Sequence, residues 1–320
     1  MSSSQQKTAP HQVTGTEASI SNYDNAAKVG VLSAITAYSI WGFAPMYFKQ
    51  LDGIPATEIL LHRIVWSAVL LALLVVVFGF GQKVVQAVKS WRIMRVMFIA
   101  GILLGSNWLL FIWAIGNDKL VDSSLGYYIN PLFNVFLGRV FLGEKLRPLQ
   151  QVAVALATIG VVVVVVAHGY VPWIALILAS TFGVYGLLRK QVNVAAIPGL
   201  FIETILLLPF AITYWVWFAS DASNLATNSV SFNLLLIAAG IVTTAPLVAF
   251  NAAAKRLMYS TLGFFQYIGP TIMLCLAVFL YGEPVSASQI LTFAFVWAGL
   301  VLYSVDSLRV YRQRAKQTRK

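Results

Sequence analysis

The chain has 320 residues, of which 59% are hydrophobic and 10% charged, with a formal net charge of +11 and a mean hydropathy of +0.80. Soluble domains carry about 25% charged residues, so this composition excludes a soluble globular enzyme and points to a chain that lies mostly in a bilayer. Its single cysteine, Cys275, excludes an intramolecular disulfide and a cysteine-based metal site and reads as a small buried apolar residue.

Residues 1–27 are rich in Ser, Gln, Thr and Asn without an apolar stretch, which predicts a disordered tail and no cleaved signal peptide. Ten apolar segments follow, at about 29–48, 57–79, 93–115, 122–142, 148–167, 170–189, 198–218, 233–254, 260–281 and 287–305. Each is close to the length of about 20 residues that crosses a hydrocarbon core. A basic tail, 309–320, ends the chain. With the N-terminus inside, nineteen of the 22 Lys and Arg residues fall on cytoplasmic segments, Lys49 and Lys119 lie at outer ends, and Arg63 lies within a span. The positive-inside rule thus predicts that both termini are cytoplasmic and assigns the basic excess to topology, so no nucleic-acid partner is expected.

A motif recurs 139 residues apart. Ser124 to Tyr128, Asn130-Pro131 and the Glu144 of Phe-Leu-Gly-Glu correspond to Thr261 to Phe265, Gly269-Pro270 and the Glu283 of Leu-Tyr-Gly-Glu. Ala100-Gly101-Ile102 matches Ala239-Gly240-Ile241 at the same offset. Five spans per repeat is an odd number, so the second copy must be inverted relative to the first. The expected fold class is therefore an all-α integral membrane protein: ten transmembrane helices as two inverted five-helix repeats, 28–168 and 169–308, around a central cavity. Gly101 and Gly105, with Gly240 and Thr244, read as small-residue faces where helices pack closely.

Polar groups at depth are costly in lipid and mark candidate pathway residues. Arg63, with His62 beside it and Glu58 one turn from His62, reads equally as a pathway cation and as a side chain snorkelling to the interface. Glu203 aligns with His62 as the deep carboxylate of the second repeat and reads either as a gate or binding charge or as a structural hydrogen-bonding group. Pro131 and Pro270, the latter after Gly269, delete backbone donors mid-span and predict helix breaks. The backbone so freed must face protein or a cavity, which makes Asn130, Asn134, Gln266 and Tyr267 candidate lining residues. Asn107, Trp108 and Tyr128 are candidates for an aromatic wall with sparse polar hooks. The three histidines, His11, His62 and His168, are too scattered for a catalytic or metal set, so no catalytic residue, metal or cofactor is expected.

Five runs carry a family resemblance: Ala37 to Gly42, Pro55 to Arg63, Gly105 to Ala114, Leu125 to Leu132 and Thr261 to Thr271. They resemble the RarD proteins, in the EamA branch of the drug/metabolite transporter superfamily, and the likeness runs over about 28–308. The resemblance implies a bacterial inner-membrane permease with ten helices in two inverted repeats. Exporters of amino acids, other metabolites and toxic compounds occur among its relatives, and the RarD name is tied to chloramphenicol sensitivity without identifying a substrate.

The expected function is secondary transport of a small-molecule substrate by alternating access. No phosphate-binding loop of Walker type is present to suggest ATP drive. Proton coupling, with Glu203 as its candidate group, and facilitated diffusion both stay open, as does oligomeric state. A transporter-fold sensor or regulator without transport, and a membrane-embedded enzyme, are the alternatives.

Overall fold

The computed structural model describes residues 13–51, 53–117, 119–282 and 286–318. Residues 1–12 with His11, Glu283 to Val285 of the second motif copy, and Arg319 and Lys320 lie outside them. Among the described residues twelve α-helices run in chain order: α1 (Val13–Phe48), α2 (Ala56–Val77), α3 (Gly81–Lys89), α4 (Trp91–Gly116), α5 (Leu120–Phe141), α6 (Pro148–His168), α7 (Trp173–Gln191), α8 (Ala196–Phe218), α9 (Val230–Arg256), α10 (Tyr259–Gln266), α11 (Ile268–Cys275) and α12 (Ala287–Thr318). Among the described residues, nine segments are long and apolar enough to cross a membrane, and α10 and α11 together make one of them. The helix α5 is not among the nine, although its 22 residues match the roughly 20 that a crossing needs.

Local chemistry sets the helix ends. Pro148 opens α6, where its missing N–H leaves no helical bond unmade, and the Arg147 N–H donates to Gln150 Oε1 at 3.0 Å. The start of α12 repeats this: the Ser286 N–H donates to Gln289 Oε1 at 2.9 Å, and the Gln289 N–H donates to Ser286 Oγ at 3.3 Å. Pro270 acts one turn back from its own position, where its ring displaces the carbonyl of Gln266, and the helix breaks at Tyr267 between α10 and α11. The copy at Pro131 behaves differently, since α5 runs through it as one helix.

Three further features depart from the sequence reading. Helix α1 begins at Val13, inside the segment expected as a disordered tail. The loop after α2 carries the short helix α3. Cys275 was expected to be buried and is exposed, because its side of the helix faces away from the bundle.

Packing is pairwise around a common centre. Helix α1 lies on α9 and α11, α7 on α4 and α5, α2 on α8 and α9, and α8 on α4; the pairs α5 with α10 and α6 with α12 complete the bundle. The last pair is antiparallel: Gly160 meets Thr292, whereas Gly299, further along α12, meets Ala153, further back along α6. A Cβ on Gly160 would stand 2.9 Å from the Thr292 carbonyl oxygen, and one on Gly299 would stand 2.7 Å from that of Ala153. Gly240 is similarly tight, its missing Cβ falling 2.6 Å from the backbone of Trp66 in α2, while Gly101 leaves 3.6 Å to the nearest atom of Glu203. In lipid, where burial of apolar surface does not drive association, such close contact of backbones is a main source of adhesion. The outward surface is accordingly apolar, with Val76 77% and Phe279 85% exposed.

Candidate functional site

A cavity of about 510 Å³ lies at the centre, between residues of α1, α2, α4, α5, α7, α9, α11 and α12. Its floor and walls are aromatic: Trp41 sits edge-on to Phe182 at 5.7 Å, and Tyr128 to Phe293 at 5.5 Å. At one end Lys49 stands over the Tyr281 ring, 3.2 Å from its centroid, and both line the cavity. Arg63 enters from α2. Its Nε–H donates to Thr243 Oγ1 at 2.9 Å, and its guanidinium carbon lies 4.5 Å from the Trp108 ring and 5.6 Å from that of Phe48.

The amides at depth are fixed by helix carbonyls and by each other. Asn107 Nδ2 donates to the Leu178 carbonyl at 2.9 Å and to Thr181 Oγ1 at 2.8 Å. Asn130 Nδ2 donates to the Ala179 carbonyl at 2.8 Å. Asn134, fully buried, donates to Asn130 Oδ1 and Gln266 Oε1 at 3.1 and 3.0 Å, which ties the break between α10 and α11 to α5. Gln266 itself lines the cavity.

Of the candidate pathway residues, Arg63, Asn107, Trp108, Tyr128, Asn130 and Gln266 line this one cavity, together with Gly269 and Pro270. His62, Glu203, Tyr267, Asn134 and Pro131 are not among its lining residues. The buried His62 faces a loop instead: Trp66 Nε1–H donates to its Nδ1 at 3.1 Å, so Nε2 carries the proton and donates to the Ser223 carbonyl at 3.3 Å. Glu58 holds the same loop, accepting from the Ser220 N–H at 2.8 Å and Ser223 Oγ at 2.6 Å. Tyr267 is buried and donates to the Tyr128 carbonyl at 3.2 Å. The Pro131 carbonyl packs against Gly263.

Glu203 belongs to a buried layer outside the cavity's lining. It pairs with Arg189 at 3.5 Å, and the side chains of Glu203 and Arg189 are 2% and 0% exposed. Arg189 Nε–H also donates to Asn251 Oδ1 at 2.8 Å and Nη2–H to the Ala196 carbonyl at 3.3 Å. Asn251 Nδ2 donates to Tyr185 Oη at 3.1 Å, and Tyr185 Oη–H donates to Glu203 Oε2 at 3.4 Å. A narrow crevice lined by both Arg63 and Glu203 separates this layer from the cavity; its volume of about 10 Å³ is at the lower limit for one water. Arg189, Asn251 and Thr243 escaped the sequence reading. Tyr185 and Arg189 are four apart on α7 and so share a face, the one local sign that Arg189 points inward.

Beyond that layer, charged groups bind helix ends. Glu144 accepts from the Tyr259 and Ser260 N–H groups at 2.5 and 2.9 Å and from Ser260 Oγ at 2.7 Å, so a carboxylate caps the N-terminus of α10. Lys190 donates to the Ala254 and Leu257 carbonyls, and Lys255 to those of Val192 and Val194. Arg147 and Asp306 pair at 2.5 Å across α6 and α12.

Residues 28–166 match the model of the EamA-like transporter family. A protein of Vibrio cholerae described as an uncharacterized transporter is 52% identical, over 88% of this chain and 94% of the relative. A protein RarD of Salmonella typhi is 48% identical, over 90% and 97%. A chloramphenicol-sensitive protein RarD of Pseudomonas aeruginosa is 31% identical, over 90% and 97%. One solved crystal structure superposes with a TM-score of 0.69, over 87% of this chain and 98% of the other, at 17% identity, which shows a shared fold.

Proposed function

The chain belongs to the RarD proteins of the EamA-like transporter family, and from that membership we propose that it is a secondary permease moving small metabolites or drug-like molecules by alternating access. The observation that carries this is a central cavity that reaches Lys49 and Tyr281 at one end, with the buried pair Arg189 and Glu203 outside its lining; in this reading the first end is the open one and the layer around that pair is the seal. A substrate site at the junction of two structural repeats is how secondary transporters are built.

The proposal includes ten spans, α5 being the tenth, in two inverted repeats. Helix pairing supports it. If α1, α2, α4, α5 and α6 are exchanged with α7, α8, α9, α10–α11 and α12, the contact of α1 with α9 becomes that of α7 with α4, and α2 with α9 becomes α8 with α4. The 139-residue offset likewise turns the Gly160 to Thr292 contact into that of Gly299 to Ala153. Because α6 and α12 are antiparallel, the two-fold axis relating them is perpendicular to the helices and lies in the membrane plane. With both termini cytoplasmic, in an inner membrane, the open end faces outward.

Glu203 is assigned to the inner seal. A proton taken up there from the cytoplasm weakens the hold on Arg189, and this is the route by which a pH gradient would drive the cycle. Protein reconstituted in vesicles tests the reading. Counterflow of a labelled metabolite, absent from protein-free vesicles, is expected from a permease, and its complete absence across a metabolite panel would instead leave a sensor of transporter fold. Under an imposed pH gradient the wild type should concentrate that metabolite, whereas Glu203→Gln should exchange it without concentrating it.

A further inference from the structure

We infer that the substrate is a monoanion, a carboxylate on an apolar body of aromatic size, held by the Arg63 guanidinium in the central cavity; this rests on the transport reading and names its substrate class. Arg63 sits well inside α2, six residues beyond Thr57, or roughly 9 Å along the helix at about 1.5 Å per residue. A guanidinium stays charged under all working conditions, and in a low-dielectric site that charge is costly without a partner. Among the described residues no carboxylate pairs with it and none lines the cavity. The protein stabilises it only in part, through the Thr243 hydroxyl and the Trp108 and Phe48 rings.

The geometry then narrows the class. Nε–H is spent on Thr243, which leaves the paired Nη1 and Nη2 donors, and that edge fits the two oxygens of a carboxylate in a bidentate fork. Two cations line the cavity, but Lys49 is held over the Tyr281 ring at one end, so among the described lining residues Arg63 alone neutralises charge at depth, and a dianion bound there would carry an uncompensated charge among aromatic walls. A substrate cation would meet Arg63 with like charge and no acidic partner among the described lining residues. The walls supply contact for an apolar body: Trp41, Trp108, Phe182 and Phe293 line the same space, and about 510 Å³ lies within the usual range of small-molecule sites. The alternative of a side chain merely snorkelling to the interface is disfavoured by the Thr243 bond and the ring stacking, which hold the guanidinium against α9 and α4 inside the bundle.

The test uses the full chain purified into lipid nanodiscs, with equilibrium binding of radiolabelled benzoate, phenylacetate and 3-phenylpropionate. Each is competed by its unlabelled amide and by the matching amine. At least one carboxylate should bind, with its amide and amine weaker by about 10- to 100-fold, the range set by charge-assisted hydrogen bonds. Arg63→Gln should bring the carboxylate down to the level of its amide, and Arg63→Lys should retain an intermediate preference for the anion. Ligand-free melting and gel-filtration profiles establish that the variants are folded. Amide or amine binding as tight as the carboxylate, undiminished carboxylate binding by folded Arg63→Gln, or no carboxylate binding by the wild type overturns the inference. Because no flux is measured, a carboxylate that binds through Arg63 yet never crosses vesicles would refute the transport reading and leave the anion site standing.

Discussion

Removing one partner of the Arg189–Glu203 pair should destabilise the protein in a way that is both large and asymmetric. At their 3.5 Å separation, the Coulomb attraction is about 5 kcal/mol for an effective dielectric of about 20. Loss of one partner from a buried pair typically costs about 3–5 kcal/mol, because the remaining charge is stranded. Arg189→Gln should lie at the upper end of that range, since Glu203 would keep only the 3.4 Å bond from Tyr185. Glu203→Gln should cost less, because Arg189 retains Asn251 Oδ1 and the Ala196 carbonyl. The double variant strands neither charge, so its cost should fall short of the sum by about 2–3 kcal/mol. Equilibrium unfolding of all four proteins in mixed detergent micelles measures each term. Costs that add to within about 0.5 kcal/mol, or a larger effect for Glu203→Gln, would refute the view that these two residues hold the sealed layer as a pair.

Other consequences can be measured separately. Gly240→Ala should reduce folded yield and lower the melting temperature, since its Cβ would fall 2.6 Å from the Trp66 backbone, while Gly101→Ala should be tolerated with 3.6 Å to spare. Glu144→Ala should cost about 1–2 kcal/mol by leaving helix N–H donors without an acceptor; an unchanged unfolding midpoint would remove the capping role. For orientation, single cysteines at Ser4, Ser286 and Gln317 on a Cys275→Ala background should react with an impermeant maleimide in intact cells only at position 286. Labelling at 4 or 317 would reverse the assignment of the cavity's open end.

The apolar segments, the proline-centred motifs and the glycine faces were legible because each is local. A hydrocarbon core demands an apolar run with its backbone bonds satisfied within the helix, and a proline can interrupt that run at a fixed offset, as Pro270 does at Tyr267 and Pro131 in α5 does not. Six of the nine pathway candidates line one cavity for the same reason: costly polar residues in a span face the protein. What each polar group bonds was not local. Arg189 counts by position among the cytoplasmic cations yet is wholly buried, and Glu144, seen as part of a repeated motif, serves as the cap of a helix 116 residues away. His62, which looked like a companion of Arg63, turns its ring to a loop 161 residues on, because neighbours on a helix point about 100° apart. The sequence marks the apolar segments and the prolines that can interrupt them, of which Pro270 does and Pro131 does not; the rotation of each helix against partners distant in the chain decides which side chains meet. Only tertiary packing sets that rotation, since it is fixed by close contacts such as those of Gly160 and Gly299.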